Sequence, residues 1–97
     1  MQIEQFIESL KAANPPAGLE PLLRALWHDA KGEWKRAHEI AQEVENRDGA
    51  WVHAYLHRKE GDLGNARYWY ARARRDPVDA ALDSEWREIS AVLLGRI

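Results

Sequence analysis

The sequence predicts an all-α protein of about six helices, in which antiparallel helical hairpins stack on one another. The first observation is an internal repeat, because Gly32 and Ala37 recur as Gly61 and Ala66, each pair 29 residues apart without a gap. A fixed period of this kind is typical of stacked supersecondary units. The second is a composition rich in alanine, leucine, glutamate and arginine, which favours helix. The third is the recurrence of apolar residues at helical spacing in each segment.

Length and composition place the chain among small folded proteins. Its 97 residues suffice for one domain, and 45% hydrophobic with 31% charged residues exclude a disordered chain. The net charge of −2 gives no general attraction to nucleic acid or to an anionic membrane. The start of the chain lacks a signal-peptide pattern, no apolar run could cross a bilayer, and cysteine is absent. We therefore expect a cytoplasmic protein with no membrane partner.

Residues 1–18 are predicted to form an N-terminal helix followed by a proline-rich turn. Ile3, Phe6 and Leu10 lie at helical spacing, which predicts a helix over residues 2–13. Two prolines then end it, because proline lacks an amide donor and disfavours helix in the residue before it.

The next two segments are predicted to be the repeats, each a helical hairpin. Gly32 and Gly61 suit the positive φ that ends a first helix, and an acidic residue after each glycine suits the start of the second. Asp48 is the expected N-cap of the second repeat. The repeats cover residues 19–48 and 49–76, with helices over 19–31, 33–46, 49–60 and 62–75.

Residues 77–97 are predicted to form a capping helix, which begins at Asp76-Pro77 and extends to about residue 95. One side of this helix is apolar and the other is polar, as the end of a stacked array requires. The apolar stripe consists of Val78, Leu82, Trp86, Ile89 and Leu93.

The second repeat resembles the tetratricopeptide repeat. The matching residues are Gly61-Asp62-Leu63, Ala66, Tyr70, Ala73 and Asp76-Pro77. The likeness covers about residues 19–78, although the period is shorter than the family's ~34 residues and Ala41 replaces the aromatic residue in the first copy. The resemblance implies a short right-handed solenoid whose concave face takes peptides.

A partner-binding strip is predicted on the first helix of the second repeat. Trp51, Tyr55, Arg58 and Lys59 fall on one helix face, and the resemblance places that face along the concave groove. An aromatic pair beside two cations suits a segment with acidic and apolar residues. The alternative is that Trp51 and Tyr55 pack against the sixth helix, and their burial there would exclude this strip.

Histidines give the alternative hypothesis of a metal-binding or small-ligand-binding protein. His53 and His57 are four residues apart on one helix, and His28 is the repeat equivalent of His57. This spacing lets two imidazoles share a metal ion, which would need further ligands. The other interpretation is that the histidines pack between helices with ring nitrogens bonded to neighbours.

The sequence contains no catalytic motif, and we expect a non-enzymatic adaptor or scaffold with no cofactor that binds a protein or peptide partner. Nucleic acid is not the expected partner, since Arg67, Arg74 and Arg75 precede acidic residues of the sixth helix with which they can pair. A third alternative is a self-associating structural protein. A monomer or weak homodimer is expected, with Leu94 and Ile97 as the residues that could seed a dimer.

Overall fold

A computed structural model describes residues 1–96 and contains six helices in that range, with no strand. The prediction of an all-α fold is confirmed. The helices are α1 (Ile3–Ser9), α2 (Pro21–Ala30), α3 (Trp34–Gln42), α4 (Arg47–Glu60), α5 (Leu63–Ala73) and α6 (Leu82–Leu94).

The two repeated turns have the same construction. Gly32 and Gly61 take φ values of +83° and +92°, a region that costs glycine nothing because it has no Cβ. The amide that follows each glycine donates to a carbonyl in the last turn of the preceding helix, Glu33 to His28 and Asp62 to His57, both at 2.9 Å. The side chain of Asp62 also accepts from the Asn65 amide and caps α5. The repeat therefore encodes a recurring chain reversal.

Small residues allow the paired helices to approach. Ala37 of α3 and Ala66 of α5 are 0% and 2% exposed, and the most extensive helix contacts are those of α4 with α5 and of α2 with α3. The two alanines occupy equivalent positions of the repeat, so each lies where the two helices of its hairpin meet. A larger side chain at either position would separate the helices of a hairpin.

Three helix boundaries differ from the predicted ones by about one turn or more, and the others by two residues or fewer. α1 ends at Ser9 and α3 at Gln42, each about one turn early, and α6 begins at Leu82 rather than at Pro77. The N-cap of α4 is Asn46 and not Asp48, because the Asn46 side chain accepts from the Gly49 amide at 2.8 Å. Before α6, the chain is non-helical, and the Ala80 carbonyl in this stretch accepts from Arg58.

The sixth helix does not pack on the second hairpin alone. It contacts α1 as well as α2 and α4. Trp86 joins these layers, because its indole Nε1 donates to the Leu26 carbonyl at 2.9 Å and its ring stacks on Phe6 with centroids 5.6 Å apart. The helix predicted to cap an array thus covers the helices α2 and α4 of the two repeats.

The backbone of α4 comes close to the end of α3 at Gly49. A Cβ at this position would lie 1.9 Å from the Val44 carbonyl oxygen, a backbone atom that cannot rotate away. We expect Gly49→Ala to lower the free energy of unfolding by about 1–3 kcal/mol, as overpacking does elsewhere. Gly64→Ala is the matched control, because nothing lies within 4 Å of its added Cβ, and alanine favours helix by about 0.5–1 kcal/mol over glycine. Urea unfolding of both variants measures the difference, and equal stability of the two would contradict the close approach.

Candidate functional site

The aromatic half of the predicted strip is buried. Trp51 and Tyr55 are each 2% exposed, and the indole of Trp51 lies beneath the guanidinium of Arg75, with 3.3 Å between the Arg75 Cζ and the ring centroid. The expectation of an open aromatic surface is therefore wrong. The physical reason is α6, which packs on α4 and covers the face that a concave groove would leave free.

The two cations of the strip differ in accessibility. The Arg58 side chain is 13% exposed and pairs with Glu85, Nη1 to Oε1 at 2.9 Å. Lys59 is 36% exposed at its side chain and donates from Nζ to Asp29 Oδ1 at 3.0 Å. Of the four predicted residues, Lys59 alone therefore keeps an accessible charge.

Two buried carboxylates, neither of them predicted from the sequence, organise this side of the molecule. Asp29 is 1% exposed and accepts from the Tyr55 hydroxyl at 3.0 Å as well as from Lys59. Glu85 is 2% exposed and accepts from the Tyr70 hydroxyl at 2.5 Å as well as from Arg58. Each network joins helices distant in sequence, which satisfies its polar groups inside the fold.

Burial raises the pKa of both tyrosine hydroxyls well above its usual range. The neighbouring Asp29 carboxylate adds to the effect at Tyr55, and the hydrogen bond to Glu85 adds to it at Tyr70. Both hydroxyls therefore act as donors at all physiological pH values.

A cavity of about 310 Å³ opens beside the first network, and we call it the four-helix cavity. Apolar side chains of α1 and α6 form one wall, and Lys59 and Arg87 stand at its polar side. Its lining consists of Ile7, Leu10, Asp29, Ala30, Tyr55, Lys59, Asp83, Trp86 and Arg87.

Three histidines meet on the opposite side of α4. They are His38 of α3 and His53 and His57 of α4. One ring nitrogen from each histidine can be chosen so that the three nitrogens lie within 4.8 Å of one another. The Nε2 atoms of His38 and His53 are 2.9 Å apart. His28 does not belong to this cluster, since its Nδ1 lies 2.8 Å from Glu33 Oε1 in the turn after α2. The predicted trio is corrected to His38, His53 and His57.

Aromatic rings fix the orientation of the cluster. Trp34 stacks on His38 with centroids 5.0 Å apart, and Trp69 stacks on His53 at 3.9 Å. Trp34 is itself held by a hydrogen bond from Nε1 to the Leu56 carbonyl at 2.8 Å. Trp69 of α5 thus forms a wall of the histidine cluster.

Burial lowers the pKa of two of these imidazoles. The pKa of His53 falls to about 4, mainly through burial and secondly through the charges of His38 and His57. Burial and the charge of His57 lower the pKa of His38 in the same direction. Both rings are therefore neutral at pH 7, and each keeps a lone pair.

The role of His38 had only a weak signal in the sequence. It lies four residues after Trp34, so the two share one face of α3, and that face meets α4. Its repeat equivalent is Arg67, so a search for repeated histidines selects His28 instead. The cluster departs from the repeat, which is why the period could not find it.

A second cavity, of about 510 Å³, adjoins the cluster. His53 and Trp69 form part of its wall, and the rest comes from the end of α3, the start of α4 and Arg72 of α5. Three exposed charged residues belong to its lining, namely Glu45, Arg47 and Arg72. The cavity gives solvent a route to His53.

Two further expectations concern the arginines of α5 and the residues that could seed a dimer. Pairing of Arg67, Arg74 or Arg75 with acidic residues of α6 was predicted, but the ion pairs found within residues 1–96 do not include it. Arg75 packs on Trp51 instead. Leu94 is 9% exposed and belongs to the core, so it offers little surface for a dimer. Ile97 lies outside the described residues.

No protein-family model, curated protein or solved structure matches the chain. Within residues 1–96, every helix falls short of the length and hydropathy that a bilayer span demands.

Proposed function

We propose that the protein is a small, non-enzymatic interaction module that binds a short segment of a protein partner in the four-helix cavity. The observation that carries the proposal is that this side of the fold already holds one amphipathic segment of the same chain and keeps an opening next to it. In this interpretation the two hairpins are tetratricopeptide-like units, and the cavity is the part of their concave face that α1 and α6 leave open.

The contacts of α1 support this proposal, because α1 is itself an amphipathic segment bound to this face. Phe6 is fully buried against Trp86, and the Trp27 indole donates to the Ser9 hydroxyl at 3.2 Å. Lys31 Nζ donates to the carbonyls of Leu10 and Ala12 at 2.7 and 3.0 Å, and so binds the C-terminal end of the segment. The face thus combines an aromatic pocket with a cation at its edge, a pairing that favours short amphipathic ligands.

The cavity offers one cation to an acidic ligand, while its lining as a whole contains two acids and two bases. Asp29 pairs inside the fold with Lys59 and accepts from the Tyr55 hydroxyl, and Asp83 is exposed on α6 one turn before Arg87. Arg87 is exposed at the cavity, and the ion pairs found within residues 1–96 do not involve it. An acidic side chain can therefore bind Arg87 and approach Lys59, while a neighbouring apolar side chain enters between Ile7, Leu10 and Trp86.

Selection from a random peptide library, with the natural chain as bait, tests this function. We expect the selected peptides to pair an acidic residue with an apolar one, and Arg87→Glu to weaken their binding by about tenfold, or ~1.4 kcal/mol. Fluorescence polarisation measures the affinities.

Arg36→Glu is the matched control, because Arg36 is also an exposed arginine on a helix, but it lies on α3 away from this cavity. We expect it to leave the affinities unchanged. Selected peptides that bind Arg87→Glu as tightly as the natural chain would exclude the four-helix cavity as their site.

A further inference from the structure

We propose that His38, His53 and His57 form a binding site for one divalent transition-metal ion of the class that includes Zn²⁺ and Co²⁺. Three imidazole nitrogens that lie within 4.8 Å of one another come from two helices, α3 and α4. The site lies on the opposite side of α4 from the four-helix cavity. The proposal therefore does not depend on partner binding.

The distances suit a common ion after small side-chain rotations. Zinc–nitrogen bonds of about 2.0–2.1 Å in a tetrahedral site place the ligand nitrogens about 3.3 Å apart. The Nε2 atoms of His38 and His53 are now 2.9 Å apart and would separate by a few tenths of an ångström. The widest pair of nitrogens, at most 4.8 Å apart, would move closer.

The surroundings hold the rings in position before an ion arrives. Trp34 and Trp69 stack on His38 and His53, which limits the rotation of both imidazoles. The rings of His53 and His57 are themselves nearly parallel, with 4.8 Å between their centroids. Because little freedom remains to be lost, binding costs less than at a flexible surface site.

Glu60 forms with His57 a carboxylate–histidine pair, an arrangement in which the ring nitrogen that does not bind the metal donates to a carboxylate. Its Oε2 lies 2.6 Å from His57 Nδ1, so Nδ1–H donates to the carboxylate and Nε2 keeps the lone pair. The Asn65 amide nitrogen lies 3.4 Å from that Nε2, a weak contact that an ion can replace. A carboxylate on the far nitrogen also raises the basicity of the ligating one.

The donor set selects the class of ion. Imidazole nitrogen suits zinc, cobalt, nickel and copper, whereas magnesium and calcium prefer oxygen ligands. A second possible set, His57 with Glu60 and Asp62, consists mostly of exposed carboxylates, and Asp62 already caps α5. We therefore assign the ion to the three buried or half-buried histidines.

Three protein ligands leave one position of a tetrahedral ion for water or a small ligand. His53 also lines the cavity of about 510 Å³, which gives that position access to solvent. The site therefore has the composition of an open metal site, while its position between α3 and α4 makes the ion a cross-link of the two repeats.

The test uses the untagged full chain with Zn²⁺ in calorimetry and Co²⁺ in absorption spectroscopy. We expect one ion per chain, a tetrahedral Co²⁺ spectrum and a melting temperature that rises with Zn²⁺ concentration. His38→Gln and His53→Gln should each weaken Zn²⁺ binding by about tenfold or more, since loss of an outer partner alone costs ~10–100-fold. His28→Gln is the matched control and should bind as the natural chain does.

Imidazole NMR of the natural chain keeps the test independent of how the variants fold. Zn²⁺ should shift the ring resonances of His38, His53 and His57 and leave those of His28 in place. The proposal is overturned by the absence of saturable binding, by unchanged affinity in folded His38→Gln and His53→Gln, or by a Zn²⁺-dependent shift confined to His28.

Discussion

Glu85→Ala is expected to lower the free energy of unfolding by about 3–5 kcal/mol, as the removal of one partner from a buried ion pair does in other proteins. The Glu85 side chain is 1% exposed and holds Arg58 of α4 and Tyr70 of α5 through its two oxygens. Without it, the buried Tyr70 hydroxyl loses its acceptor, and the Arg58 guanidinium, which is 13% exposed, loses its carboxylate and keeps only the Ala80 carbonyl. The loss is a large fraction of the ~5–15 kcal/mol that stabilises a typical domain.

Urea unfolding followed by tryptophan fluorescence measures this loss. Glu88→Ala is the matched control, because Glu88 is an exposed glutamate on the same helix, and surface substitutions usually change stability by less than about 0.5 kcal/mol. The stability of Glu85→Gln should lie between those of Glu85→Ala and Glu88→Ala, since the amide keeps one oxygen acceptor and loses the charge. If Glu85→Ala were no less stable than Glu88→Ala, the buried pair would contribute nothing.

The features of the fold that depend on local sequence could be predicted. The turns at Gly32 and Gly61 follow from a glycine before an acidic residue, and Ala37 and Ala66 are buried as the repeat implies. The position of α6 could not be predicted, because the sequence around Pro77 is equally compatible with an immediate helix. The helix starts at Leu82, and the stretch before it makes a tertiary contact, between Arg58 and the Ala80 carbonyl, that local sequence does not encode.

The same limit explains the predicted strip. Helical spacing correctly places Trp51 and Tyr55 on one face of α4, but the spacing cannot say which helix covers that face. A groove requires the face to remain open, and α6 closes it. Lys59 lies in the last turn of α4, and its side chain remains 36% exposed beside the four-helix cavity.

The histidine cluster shows the converse case, in which the repeat misdirected the prediction. His53 and His57 were found by their spacing of four on one helix. The third member was expected at a repeat-equivalent position, but contact between α3 and α4 brings in His38 instead. Residues that carry chemistry need not follow the period that builds the scaffold, because the period records only the packing of one unit on the next.

Acid should lower the free energy of unfolding of the metal-free protein, because His53 is protonated more readily in the unfolded chain. The pKa of His53 is lowered from 6.5 to about 4 in the folded chain, so between these values the unfolded chain binds more protons. The free energy of unfolding therefore falls as the pH falls through this interval, by about 2 kcal/mol at pH 5 and about 3 kcal/mol at pH 4 from this group alone. The lowered pKa of His38 acts in the same direction.

The groups that face His53 explain the sign. His38 of α3 and His57 of α4 are the nearest titratable side chains, and the charge of Arg72 lies over the outer ring of Trp69. A proton on His53 would thus lose its hydration by burial and, secondly, meet the charges of two further imidazoles, His38 and His57. The carboxylate nearest to the cluster, Glu60, contacts His57 rather than His53.

Urea unfolding at a series of pH values between 7 and 4.5, in the presence of a chelator, separates this effect from that of other acids. His53→Gln should flatten the pH dependence, since the amide does not titrate, whereas His28→Gln should keep it. His28 is the matched control because it is a half-buried histidine already paired with a carboxylate, Glu33. An unchanged slope in a folded His53→Gln variant would show that the acid sensitivity lies elsewhere.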